Sequence, residues 1–300
     1  MIDAAVREFE QQRPFLTGLA YRMLGSLADA QDIVQESFLR WHGRATDSIE
    51  SPRAFLATVV TRLCLDRLRS ARHRRETYVG PWLPEPIIER FGIEPDRPDD
   101  RIDAPVALML AMERLSPLER AVFILADLLE RDMAEVAAAI ERSPAACRQL
   151  LGRARAHVGE AKTRYRVDPH EGRRITEAFL EAIRSGRVEP LSALLAESAV
   201  LHTDGGGKVL ASLNIIQGGD RVFRFFRGVA AKRPSGAERW SGVLFINGLP
   251  GYVSIDPAGV PQTVSFEIAA GKIKAVYVVR NPDKLTAATL LAGQLVGIGG

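Results

Sequence analysis

The chain has 300 residues, 46% of them hydrophobic and 26% charged, the proportions of an ordinary protein of two or three domains. Met1 to Phe15 is charged and lacks an apolar core of signal-peptide length, and no uninterrupted apolar run could span a bilayer, so a cytoplasmic protein without a membrane partner is expected. The two cysteines, Cys64 and Cys147, lie inside helical patterns and read as small buried residues rather than as a disulfide or metal site, and the net charge of +3 hides a local pattern that says more.

The first module spans residues 1–78. Phe15, Leu19 and Met23, then Ile33, Val34, Phe38 and Trp41, recur at three-to-four spacing, as amphipathic helices require. Gly25 to Ala28 interrupts them, with Ser26 or Asp29 able to cap the next helix. Asp29, Asp32 and Glu36 fall on one face of that helix, either a solvated acidic face or a docking surface for a basic partner. Ser51-Pro52 reads as N-cap and first position of a further helix, with Phe55, Leu56, Val59, Val60, Leu63 and Leu68 as its buried stripe. From Arg62 to Arg75 six arginines face the single Asp66. A basic amphipathic helix alone would also fit a solvated or membrane-surface face. Trp41 and Phe55 sit on apolar faces and read as core.

Residues 79–103 hold five prolines and seven acidic residues, a composition that forms no core and should be extended. Trp82, in Trp82-Leu83-Pro84-Glu85-Pro86, is the anomaly, because a large aromatic in such a linker either pins it to a neighbouring domain or is incidental.

The second module, residues 104–165, begins with Leu115-Ser116-Pro117, a serine cap with proline at the first helical position. The short alanine-rich stretch Met133 to Ile140, the turn Glu141 to Ser143 and the basic stretch Pro144 to Arg155 describe a helix-turn-helix rather than a bland helical hairpin. Small residues let the two helices cross closely. Ser143 and the amides beside it can hold a phosphate, while Arg148, Gln149, Arg153 and Arg155 have the reach for base edges or backbone. Residues 1–165 carry 24 basic against 25 acidic residues, a net of −1, so local density and not bulk charge signals nucleic acid.

The third domain, residues 168–285, opens with a helix from Glu171 to Ser185 ended by Gly186. Ala199 to Thr203, a helical stretch from Gly218 to Val229, and alternating runs at Val243 to Asn247, Tyr252 to Ile255, Val264 to Ile268 and Ile273 to Val279 follow. Helices before a curved antiparallel sheet suggest an α+β cone. His202 and Asp204 form a local pair that either serves as general acid and base or does structural duty, His202 as a packed histidine and Asp204 as the shaper of a glycine turn. The structural reading is preferred, and no catalytic residue, metal site or cofactor is assigned. Gly205, Gly206 and Gly207, before Lys208, fit close backbone approach better than phosphate binding, since no P-loop pattern surrounds them. Residues 286–300, small and apolar, are either a flexible end or a latch.

Residues 9 to 165 resemble an extracytoplasmic-function member of the sigma-70 family of RNA polymerase initiation factors. Asp29-Ala30-Gln31-Asp32-Ile33-Val34-Gln35-Glu36-Ser37-Phe38 is similar to the family's segment that docks on the β′ clamp helices of core polymerase, with Asp29, Asp32 and Glu36 as its contacts. Ser51 to Leu56 through Asp66-Arg67-Leu68-Arg69 resembles the helix that reads the −10 promoter element, which implies roles for Arg62, Asp66, Arg67, Arg69 and Arg72, with the loop Gly43 to Glu50 receiving a flipped base. The helix-turn-helix resembles the domain that reads the −35 element. The third domain resembles the SnoaL-like members of the nuclear-transport-factor fold, whose cone could take a small ligand that no residue here identifies. The overall expectation is thus a multidomain chain: two all-α sigma modules, a region 2 bundle and a region 4 helix-turn-helix, plus an α+β SnoaL-like domain. With Trp82 to Pro86, Asp204 to Lys208 and Asn281-Pro282-Asp283-Lys284-Leu285, the chain is similar to the sigma subgroup that carries this domain in place of a separate anti-sigma protein. In that reading these three motifs are interdomain contacts, Trp82 is the anchor, and the third domain controls access to core polymerase. A DNA-binding protein fused to a SnoaL-like hydrolase or isomerase, and a ligand-responsive repressor, are the alternatives.

Overall fold

The computed structural model describes residues 4–42, 49, 51–75, 78–89, 105–159, 168–232, 239–240, 242–256 and 259–286, and the chain divides into two compact units. The first takes residues 1–77 and 94–163, the second residues 78–93 and 164–300.

In the first unit, α1 (Ala4–Leu24), α2 (Leu27–His42) and α3 (Pro52–Arg75) pack on one another through Phe9, Phe15, Leu19, Met23, Val34, Trp41, Leu56 and Val60, all buried. Gly25 turns the chain with φ 71°, and the Ser26 hydroxyl accepts from the Asp29 amide at 3.2 Å, so the break read at Gly25 to Ala28 is a capped helix start. Trp41 is 1% exposed and its indole N–H donates to the Ala5 carbonyl at 2.8 Å, the polar handle a buried tryptophan needs. Ser51 stands ahead of α3, its hydroxyl accepting from the Ala54 amide at 3.4 Å.

The same unit continues with α4 (Val106–Met112), α5 (Pro117–Phe123), a π-helical turn at Ile124–Leu128, α6 (Met133–Ile140) and α7 (Pro144–Val158). A full capping box starts α5: Ser116 accepts from the Glu119 amide and Glu119 accepts from the Ser116 amide. Glu141, at φ 56°, ends α6 in the left-handed conformation, and Ser143 caps α7 two residues later. Ala137, Ala139, Cys147 and Ala154 are buried, which allows the close crossing of the two helices. Arg120 is 3% exposed and donates to the Met112 and Met23 carbonyls, joining the second helical module to the end of α1.

The second unit is α+β. It comprises β1 (Ile88–Glu89), α8 (Pro169–Ser185), α9 (Leu191–Leu194), β2 (Leu195–Asp204), β3 (Ile216–Gln217), α10 (Gly219–Ala231), β4 (Arg239–Trp240), β5 (Leu244–Ile246), β6 (Leu249–Ile255), β7 (Pro261–Ala269) and β8 (Lys272–Val279). The strands form one sheet in the order β1-β5-β6-β7-β8-β2-β3, with β4 beside β6. All pairings are antiparallel except β2 with β8, which is parallel. Register shifts within β2 and β7 bend the sheet. Ile175 and Phe179 of α8, Val222 and Phe226 of α10, and Leu201, Tyr252, Phe266 and Val276 of the strands share one core. Phe179 lies edge-on to Phe226 with centroids 5.0 Å apart, so aromatic rings occupy the space between helices and sheet.

The order of helices and main strands is the one expected; β2, β6, β7 and β8 are longer than their sequence patterns and β5 is shorter. The short strands β1, β3 and β4 have no counterpart in the sequence pattern, because two residues carry no readable alternation.

Candidate nucleic-acid interface and linker seat

The helix-turn-helix is built as its sequence reads, and it presents Arg148 and Gln149, both exposed on α7. The Ser143 hydroxyl is used locally, accepting from the Ala146 amide at 3.2 Å. Arg153 donates to Glu119 at 3.0 Å and Arg155 to Asp127 at 2.6 Å. Burial works to raise the Glu119 carboxyl, but the Ser116 amide and hydroxyl and the Arg153 guanidinium outweigh it and hold it below the usual carboxylate range. The hydrogen bond to Asp127 raises the already high pKa of Arg155. Arg153 and Arg155 are thus positioned by α5 and the turn after it, while Arg148 and Gln149 face solvent.

On α3, Arg62 donates to the Ala138 and Ala139 carbonyls at 2.9 and 3.1 Å and pairs with Glu141 at 3.2 Å, at the carboxyl end of α6, where the helix dipole favours a cation. Arg67 hydrogen-bonds Asp29, and that bond raises the arginine's pKa. Asp66 and Arg69 pair with each other at 3.2 Å. Asp29 is therefore committed to α3; Asp32, though exposed, stands 3.8 Å from the same Arg67, and Glu36 pairs with Arg40 at 2.7 Å. The side chain of Arg72, residues 43–48 and 50 of the loop expected to receive a flipped base, residues 90–103 of the linker and residues 287–300 of the tail lie outside the described residues.

The three interdomain motifs converge inside the second unit. Asp204, with no exposed surface, ends β2, and its carboxylate accepts four hydrogen bonds: the Tyr78 hydroxyl at 2.5 Å and the Gly206 amide at 3.0 Å on one oxygen, the Leu83 amide at 2.9 Å and the Lys284 ammonium at 2.8 Å on the other. Lys284 also donates to the Leu83 carbonyl at 2.6 Å and stands 4.6 Å from the Trp82 ring centroid and 4.8 Å from that of Tyr78. Asn281 donates to the Tyr78 hydroxyl at 2.9 Å. Burial, then the hydrogen bond to Asp204, push the Tyr78 phenol well above its ordinary pKa.

The glycines are explained by crowding. A Cβ on Gly206, at φ 59°, would lie 2.3 Å from the Asn281 side chain, and one on Gly207, at φ 72°, 3.0 Å from Val79 of the linker. Lys208 pairs with Asp283 at 2.6 Å across the two motifs. Pro282–Lys284 forms a short 3₁₀ turn, and Leu285 behind it is fully buried. Leu83 is 1% exposed, with Pro84, Glu85 and Pro86 also buried, whereas Trp82 is only half-buried. The centre of the seat is thus Leu83, with Trp82 forming one wall of the Lys284 site.

Further along, Asn247 at φ 51° accepts from the Ile87 amide and donates its own amide to the Ile87 carbonyl, and β1 then pairs with β5. Tyr78 and Asn247 carried no sequence signal, because each acts through a contact made across more than a hundred residues.

His202, half-buried beside Tyr277 with ring centroids 5.4 Å apart, is held below its usual pKa by burial. With the four bonds of its carboxylate turned to the linker and its flanks, Asp204 offers His202 no acid–base partner. No group of His, Cys, Asp or Glu among the described residues could hold a metal ion, and no described helix is long and apolar enough to cross a membrane.

A helix-turn-helix with outward arginine and glutamine, next to a second arginine-rich helix, has the build of a DNA-binding protein. Residues 9–74 match the sigma-70 region 2 family and residues 106–158 the sigma-70 region 4 family. The chain is 37% identical over 297 residues to the ECF RNA polymerase sigma factor SigJ of Mycobacterium tuberculosis, covering 95% of this chain and 94% of that protein. It is 29% identical over 295 residues to the probable ECF sigma factor SigI of the same organism, covering 94% and 95% of the two. The crystal structure of M. tuberculosis SigJ superposes with a TM-score of 0.76 at 34% identity, over 94% of this chain and 98% of the other. The chain belongs to the extracytoplasmic-function sigma factors: it is an initiation factor and not an enzyme, it binds core RNA polymerase and promoter DNA, and it directs transcription initiation at specific promoters.

Proposed function

We propose that this sigma factor is controlled by its own C-terminal unit, which holds the linker between the two helical modules. The observation that carries the reading is the seating of residues 78–89 in that unit, through the buried pair Lys284–Asp204 and the fully enclosed Leu83. A linker held there fixes one end of each module's tether, and releasing it changes the fraction of molecules able to spread on core polymerase. In the engaged state, Arg148 and Gln149 read the −35 element. Asp32 and Glu36 of α2 meet the β′ clamp helices, and Arg62, Asp66, Arg67 and Arg69 of α3 serve the −10 element. For Arg62 and Arg67 this requires exchange, since both are held by protein partners when the chain is alone. Phe179, Phe226 and Phe266 pack ring against ring in the core, and the Asp204 carboxylate is taken up by the linker and its flanks, which supports a regulatory, SnoaL-like body over a catalytic one.

The test is transcription in vitro with core polymerase, using the full chain, a truncation ending near Val167, and the full-length variants Leu83→Ala and Lys284→Met. Promoter-dependent output that changes in the same direction for the truncation and both variants is expected. Output equal to the full chain in both variants would separate linker seating from control and remove the proposal.

A further inference from the structure

We infer that α10 carries a second, sequence-independent DNA contact, on the C-terminal unit and apart from the two promoter-reading modules. Arg221, Arg224 and Arg227 follow one another at three-residue spacing along this helix, with Lys232 just beyond its end, and all four are exposed. That spacing lines them up on one face. Asp220 is the helix's single carboxylate, and none of the four cations has an ion pair among the described residues. This contrasts with Arg153, Arg155, Arg67, Arg280 and Lys284, each of which is neutralised by a carboxylate.

The row is held firmly from below. Val222 and Phe226 are buried in the core on the opposite face, and Phe223 lies 5.8 Å beneath the Arg227 guanidinium. Between the arginines the surface is bare: Gly228 and Ala231 are exposed, and a Cβ on Gly228 would meet nothing within 4 Å. Arg221 and Arg227 are six residues apart, roughly 9 Å along the helix axis. That is the axial length of about three phosphates on one strand of duplex DNA.

A row of guanidinium groups without carboxylate partners, and with small residues between them, suits a phosphate backbone, which a protein can follow without reading bases. A protein partner would call for an aromatic or aliphatic centre that excludes water, whereas Phe223 and Phe225 at the flanks are packed against the core and the exposed positions between the arginines are Gly228 and Ala231. Since the chain already binds promoter DNA, the backbone of that same duplex is the occupant the charge selects. The inference does not depend on the linker's role in control.

Holoenzyme formed from core polymerase and the full chain would be titrated onto a promoter fragment over a series of salt concentrations. The triple variant R221Q/R224Q/R227Q should make the slope of log affinity against log salt shallower by about 2 to 3, at about 0.9 for each phosphate no longer neutralised. The weakening should be equal on promoters differing in their −10 and −35 sequences. The variant R221K/R224K/R227K keeps the charges and should keep the slope. An unchanged slope in the glutamine variant overturns the inference, as does a lysine variant whose slope falls as far as that of the glutamine one. A glutamine variant with the original slope but weaker binding to core polymerase without DNA also overturns it and assigns the row to an acidic polymerase surface.

Discussion

Asp204 shows how one residue can be given several tasks by its surroundings. As a carboxylate with no exposed surface it would be costly alone, but four donors and the Lys284 charge satisfy it, so the cost falls on any variant that removes one of them. The neighbouring His202 gives a measurable counterpart. Burial depresses its folded pKa below the ordinary 6.5, so its neutral form is favoured in the fold. Its contribution is complete above the unfolded value and is lost as pH falls through the lower, folded one. The melting temperature of the full protein should therefore drop between pH 7 and pH 5 by more than that of His202→Gln; parallel curves would show that His202 does not titrate in this range. Single residues were the least readable from sequence. The type and place of Asp204 and Lys284 were visible as motifs, but their pairing was not, because they lie 80 positions apart.

Helices announced themselves through caps and periods. The serine and proline pairs at Ser51, Ser116 and Ser143 and the glycine at Gly186 placed the starts of α3, α5 and α7 and the end of α8, since these residues act through their immediate neighbours. The glycine turn was legible in kind, as a place of close backbone approach, while what approaches it was hidden until the Asn281 side chain and the linker's Val79 appeared against it. Gly206→Ala tests that element. With a positive φ and Asn281 2.3 Å from the new methyl group, it should cost about 1 to 3 kcal/mol. Limited proteolysis should then cut residues 78–89 faster than in the parent; equal cutting would mean that the turn does not hold the linker. The edge strand β1 was out of reach, because its residues pair only once Asn247 has turned the chain.

Across the whole chain, the two helical modules form one unit, and the Arg62 side chain ties α3 directly to α6. Replacing it with alanine should loosen that junction by about 1 kcal/mol, the worth of an exposed charge-assisted contact. Hydrogen exchange at the end of α6 should rise while exchange in the second unit stays constant; a rise in both units would show a general loss of stability instead. The division into units was only half legible: the sequence separated the domains and marked Trp82 to Pro86 as contacts, but it ended the first module at Tyr78 and read residues 79–103 as an extended linker, because proline and acidic composition describes how a segment behaves alone. The seat has a further consequence during synthesis. Tyr78 meets Asn281 across 203 positions, so a growing chain has both helical modules complete long before the residues that clasp its linker exist. Each new molecule therefore passes through an interval with its linker unclasped, and any translation product that stops short of Asn281 stays in that condition permanently.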